Sequence, residues 1–145
     1  MTRNLKLAIG CHVLASLVVA AFGLMYLLRT DFMPYHAVAV GQKWTDVAPG
    51  FQALILGLMK AAAGGWLASV VAIGILLAVP FREGLRWARW AIPAIGLTAT
   101  LTALYATLYV GMHSPATPPW IAAAAAALLF AAGLVVSLVP EKANP

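Results

Sequence analysis

Lys60 lies within "GLMKAAAGGW", in an otherwise unbroken apolar run. An ammonium group in hydrocarbon is costly, so it must reach an interface or hold something. As a site it would suit an anionic or carbonyl-bearing molecule, with Gln52, His36 and Trp44 as possible neighbours. His36, His113, Asp31 and Asp46 form a second set, since borderline metals accept imidazole together with carboxylate. None shows the close, repeated spacing of a dedicated metal motif, so the sequence assigns no metal site and no cofactor.

Thr98, Thr102, Tyr105 and Tyr109 recur at steps of four, three and four, which aligns their hydroxyls on one helix face and could line a polar groove. The competing reading is ordinary. Threonine hydroxyls bond back to their own helix carbonyls, and tyrosine is common at a membrane interface. His12, with Ser16 one turn on and Cys11 beside it, reads as a buried neutral imidazole bonded to backbone or hydroxyl; a ligand or proton-relay role is the alternative. Cys11 stands alone and packs as a small apolar residue. No HExxH, CxxC, nucleotide loop or serine-nucleophile motif occurs, and no catalytic residue is assigned.

The elements that carry these residues belong in a membrane. Of 145 residues, 63% are hydrophobic and 9% charged, against about 25% charged in a soluble domain. Four apolar blocks are long enough to cross about 30 Å of hydrocarbon. They run over residues 5–28, 51–79, 91–112 and 120–139, in a single transmembrane domain spanning 1–145. The first block is too long for a signal-peptide core and lacks a small-residue cleavage site, so it reads as a retained signal anchor. No Asp or Glu falls within a span, which disfavours a proton-coupled cation exporter.

Basic residues set the expected orientation. Arg3 and Lys6 precede the first span, and "FREGLRWARW" carries Arg82, Arg86 and Arg89 against Glu83. The loop over residues 29–50 balances Arg29 and Lys43 against Asp31 and Asp46. The positive-inside rule then places both termini in the cytoplasm and the 29–50 loop outside, in the periplasm of a bacterial inner membrane. The net charge of +5 is thus a topology signal, with anionic headgroups rather than nucleic acid as the basic residues' neighbours.

Counting back about 20 residues from Pro80 at roughly 1.5 Å each puts Lys60 near the outer surface, where it can snorkel or pair with Asp46 or Asp31. The second span is then too long to lie wholly in hydrocarbon. Its projecting end, "FQALILGLM", needs a cover, and the 29–50 loop offers Phe32, Met33, Tyr35, Val38, Val40, Trp44 and Val47. An ordered cap follows, with a short helix from Pro34 to Val40 ended by Gly41. Thr117 before Pro118 and Pro119 marks a helix start, and Pro140 a helix end. Trp44, Trp87, Trp90 and Trp120 fall near interfaces, while Trp66 packs at a helix crossing or faces lipid. The small stripe Gly57, Ala61, Gly65 and Ser69 would serve packing inside the bundle, with an oligomer as the other use.

The runs "MPYHAVAVGQKW", "PGFQALILGLMKAAAGGW" and "VPFREGLRWARW" resemble a family of small, mostly uncharacterised bacterial inner-membrane proteins with four spans. The resemblance implies architecture and marks Pro34, His36, Trp44, Gln52, Lys60 and Gly65 as positions to test. The expected fold is an all-α four-helix transmembrane bundle with a structured outer loop between its first two spans. The leading functional expectation is a non-enzymatic accessory or interaction protein, in contact with the bilayer and with a membrane-protein partner or a second copy. The alternative is a binding or transport protein for a small lipophilic or anionic molecule, with Lys60, Gln52, His36, Trp44, Tyr105 and Tyr109 as candidate ligand contacts. An outer-face His/Asp metal enzyme ranks third.

Overall fold

A computed structural model describes residues 2–139, and within them every regular element is helical. The helices are α1 (Arg3–Leu28), α2 (Pro34–Val40), α3 (Pro49–Ala78), α4 (Ala88–His113) and α5 (Trp120–Leu138). All but α2 are long and apolar enough to cross a membrane, so this is a multi-pass membrane protein built as a four-helix bundle. The four long helices form a ring: α1 packs along α3 and α5, α4 packs along α5, and α3 meets α4 less closely. One end of the ring carries the 29–50 segment and is called the cap end. The other, which holds Arg82, Arg86 and Arg89, is the arginine end.

Local chemistry sets each helix boundary. The Thr2 hydroxyl accepts the Leu5 amide and starts α1. Pro34 and Pro49 stand at the first positions of α2 and α3, where no amide hydrogen is needed. Gly41 ends α2 in a left-handed conformation, and its amide donates to the Ala37 carbonyl at 2.9 Å. Thr117 does not cap α5. Pro119 takes that position, and the neighbouring polar work falls to Ser114, whose hydroxyl donates to the Val110 carbonyl and accepts the Ala116 amide. Pro140, expected to end α5, lies outside the described residues.

At the arginine end the packing is tight. Leu5, Ala8, Ala15, Ile73, Leu77, Phe81, Ile92 and Phe130 form a continuous core. His12 is fully buried within it, stacked on Phe130 with ring centres 5.9 Å apart and edge-on to Phe81 at 6.0 Å. Glycine makes this possible. A Cβ at Gly96 would lie 2.5 Å from the Phe130 ring, and one at Gly133 would lie 2.5 Å from the His12 ring. Arg89 donates to the Ser137 carbonyl at 3.1 Å and Asn4 to the Val139 carbonyl at 3.2 Å. Both side chains thereby meet carbonyls that the last turn of α5 leaves unpaired.

The small stripe on α3 is not used for packing inside the bundle. Gly57, Ala61 and Gly65 are exposed, and a Cβ at Gly57, Gly64 or Gly65 would meet nothing within 4 Å. The close approaches instead involve Gly23, Gly96 and Gly133, on the three other long helices. The cap is ordered as expected, but it covers one face only. Phe32, Met33 and Val47 are buried with Met59, Ala63 and Tyr26, while Val38 and Val40 of α2 and Phe51, Leu54 and Leu58 of α3 stay exposed.

Substituting Gly96→Ala or Gly133→Ala is expected to lower stability by about 1–3 kcal/mol through overpacking against the Phe130 or His12 ring. Gly64→Ala, with open space at its Cβ, should stay within about 0.5 kcal/mol of the parent. Unfolding in mixed micelles measures all three, and Phe130→Leu should recover part of the Gly96→Ala loss.

Candidate functional site

Lys60 resolves first, because its ammonium donates two hydrogen bonds to backbone carbonyls. Nζ donates to the carbonyl of Leu27 and, at 2.7 Å, to that of Arg29. These are the closing carbonyls of α1, so the charge sits at the negative end of that helix and fastens α3 to it. Asp31 and Asp46, the carboxylates expected to reach it, are engaged elsewhere. Asp31 pairs with Arg29 at 2.8 Å, and Asp46 accepts the Thr45 hydroxyl at 3.1 Å. Arg29 also donates to the Phe32 carbonyl at 3.2 Å, which fixes the chain as it enters the cap.

The other candidate contacts take similar positional roles. Gln52 donates to the Trp44 carbonyl at 2.7 Å, and the Trp44 ring lies edge-on to Phe32 at 5.0 Å. His36 accepts the Met33 amide through Nδ1 at 3.3 Å and lies against the Tyr35 ring at 4.3 Å. Burial lowers the His36 pKa, and the nearby Arg29 charge lowers it further. Tyr105, Tyr109 and His113 form an exposed aromatic ladder on α4, with Tyr109 stacked on His113 at 4.1 Å. Among the described residues no three His, Cys, Asp or Glu side chains converge, so His36, His113, Asp31 and Asp46 do not meet.

The structure instead gathers a different set under the cap. A cavity of about 50 Å³ lies toward the cap end between α1, α4 and α5. Val18, Val19, Phe22 and Tyr26 of α1 form one wall. Ala99, Thr100, Ala103 and Thr107 of α4 form another, and Pro119, Ala122, Ala123 and Ala126 belong to α5 and its approach. Trp66 of α3 closes the side, and Tyr35 reaches in from the cap. None of Lys60, Gln52, His36, Trp44, Tyr105 or Tyr109 lines it.

The polarity of this cavity is simple. The Thr100 hydroxyl donates to the Gly96 carbonyl and that of Thr107 to the Ala103 carbonyl, so both present methyl groups inward. What remains is a pair of phenols. The Tyr26 and Tyr35 hydroxyls bond to each other, joining α1 to α2, and the Tyr26 ring packs edge-on to Trp66 at 5.1 Å. Burial and the Tyr26 hydroxyl together raise the Tyr35 pKa, which keeps it a neutral hydroxyl at ordinary pH. The cavity is therefore an apolar chamber with one hydrogen-bonding spot near its cap end, the form taken by sites for small lipophilic molecules.

Sequence reading did not single out Tyr26, Phe22, Thr100 or Thr107. Val18, Phe22 and Tyr26 at steps of four mark one face of α1, and Ala99, Ala103 and Thr107 do the same on α4. That two such faces leave space between them depends on helix spacing, which the pattern does not carry. A deeper polar group also departs from expectation. Among the described residues His12 has no hydrogen-bond partner at either ring nitrogen, and the Ser16 hydroxyl lacks one as well. The ring is packed between Phe130, Phe81 and Gly133.

Lys60→Met should leave the α1 carbonyls without a donor, costing about 1–3 kcal/mol, and should speed amide exchange over residues 27–33. A lowered His36 pKa means that the unfolded chain binds the proton more tightly. Cap stability is then complete above about pH 6.5 and is lost as pH falls below it. Exchange over residues 32–47, corrected for intrinsic rates, should rise as pH falls from about 7.5 to about 5, a range that straddles the ordinary histidine value, and His36→Gln should remove the rise. Comparison with family models, curated proteins and solved structures gives no match, so the functional reading rests on the chain's own geometry.

Proposed function

We propose that this multi-pass membrane protein binds a small lipophilic molecule, to hold or pass it on, in the chamber beneath its cap. The observation that carries the reading is the chamber itself, walled by alanine, valine and aromatic side chains, with polar function confined to the Tyr26–Tyr35 pair. Sites for small molecules combine apolar walls with few polar groups. An apolar void of this kind stays dry and accepts apolar guests, since water inside would find too few partners. The anionic variant of this reading is weaker, because Lys60 and Arg29 are already engaged and neither faces the chamber.

The location follows from the same reading. With Arg82, Arg86 and Arg89 toward the cytoplasm of a bacterial inner membrane, the cap lies on the periplasmic side and the chamber opens within the outer leaflet. A second reading, a non-enzymatic accessory protein, is favoured by the exposed stripe of Gly57, Ala61 and Gly65, which leaves α3 ready for close approach by another helix.

Native mass spectrometry of the protein extracted gently from its own membrane is the test. A lone chain carrying a reproducible lipophilic adduct is expected, and Ala123→Phe, which fills the chamber, should remove the adduct while holding or raising the melting temperature. A bare chain in both forms would overturn the proposal, and a stoichiometric second polypeptide would favour the accessory reading.

A further inference from the structure

We propose, resting on the chamber as a lipophile site, that its occupant is a neutral single-chain lipid. Its head oxygen accepts a hydrogen bond from the Tyr26–Tyr35 pair, and its tail leaves the bundle sideways between α3 and α4. The head is specified by counting protons. Two hydroxyls carry two donors, their mutual bond uses one, and no other acceptor among the described residues takes the second. A half-buried donor without a protein partner calls for an accepting oxygen: a hydroxyl, ester, ether or ketone. A carboxylate or phosphate is disfavoured because no Lys or Arg lines the chamber.

The tail is specified by a second hollow. On the outside of the bundle, α3 and α4 diverge to form an open groove between Ala62, Gly65 and Ser69 on one side and Thr98, Thr102 and Ala106 on the other. Trp66, Ala99 and Ala103 line both this groove and the chamber, so an indole and two methyl groups stand between them. Each hydroxyl in the groove is turned back on its own helix: Ser69 to the Gly65 carbonyl, Thr98 to that of Ala94, and Thr102 to that of Thr98. The groove therefore presents methyl and methylene surface at the middle of both helices, a lining for hydrocarbon rather than for a polar solute. The head spot lies at the cap end of the chamber and the shared wall lies farther down α4, so the tail reaches the groove by turning the Trp66 indole aside from that wall.

The test uses the full chain in phosphatidylcholine nanodiscs with two photoreactive alcohols, octanol and hexadecanol, each bearing a diazirine beside the hydroxyl; hexadecane with a terminal diazirine serves as the headless control. Both alcohols are expected to label chamber residues such as Phe22 and Ala123, and hexadecane to label them far less. The double variant Tyr26→Phe, Tyr35→Phe should lower alcohol labelling about five- to tenfold, the loss of roughly one hydrogen bond. Ala106→Phe, or the milder Thr102→Leu, both on the groove and neither on the chamber, should block hexadecanol and spare octanol, whose retained labelling shows that the variant is folded. Loss or retention of both alcohols together in those variants would overturn the sideways tail. An unchanged signal in the double tyrosine variant would overturn the head assignment, and absence of chamber labelling by either alcohol in the parent protein would overturn the lipophile site itself.

Discussion

Within a bilayer, helices gain little from hiding apolar surface, so what holds this bundle together is how closely backbones can approach. The decisive approach is the stack that runs from Gly96 through Phe130 and His12 to Gly133, where two glycines admit two rings that any Cβ would strike. It draws α1, α4 and α5 together toward the arginine end. Toward the other end, short alanine side chains on α5 and β-branched or aromatic ones on α1 meet no comparable filler, and space remains. Tightness at one end and vacancy at the other are thus two results of where the large side chains fall along the same helices.

The cap completes the arrangement through polar chemistry. Lys60 collects the last carbonyls of α1, Arg29 and Asp31 fix the turn that follows, and Gln52 anchors the Trp44 backbone. Each contact joins α1 or the cap to its neighbour, and none points a free charge at the chamber. The cap is held by its polar groups and sealed by Phe32, Met33 and Val47.

Much of the architecture was legible in the residue order. Four long apolar runs and the Pro34–Val40 helix ended by Gly41 follow from length and from proline and glycine placement, while the cap covers only one face of α3 and leaves Phe51, Leu54 and Leu58 exposed. The threonine ladder also followed the plainer of its two readings, with hydroxyls bonded to their own helix. What was not legible depends on which helices become neighbours. The exposed glycine stripe on α3 and the buried glycines on α4 and α5 look alike in sequence, and only the fold decides which ones meet a ring. Lys60 shows the same limit: its depth could be counted, but its partners are backbone carbonyls, which carry no residue identity.

The pairing of α1 with α5 has a consequence for synthesis. Asn4 and Val139, which meet at the arginine end, are 135 positions apart, and the partners of His12 on α5 emerge almost as late. During insertion α1 therefore waits with an imidazole covered on one side by the Phe81 edge, until the final helix arrives with Phe130 to enclose the other. The bundle closes like a clasp, and a chain stopped before α5 would leave the Phe130 face of that polar ring uncovered.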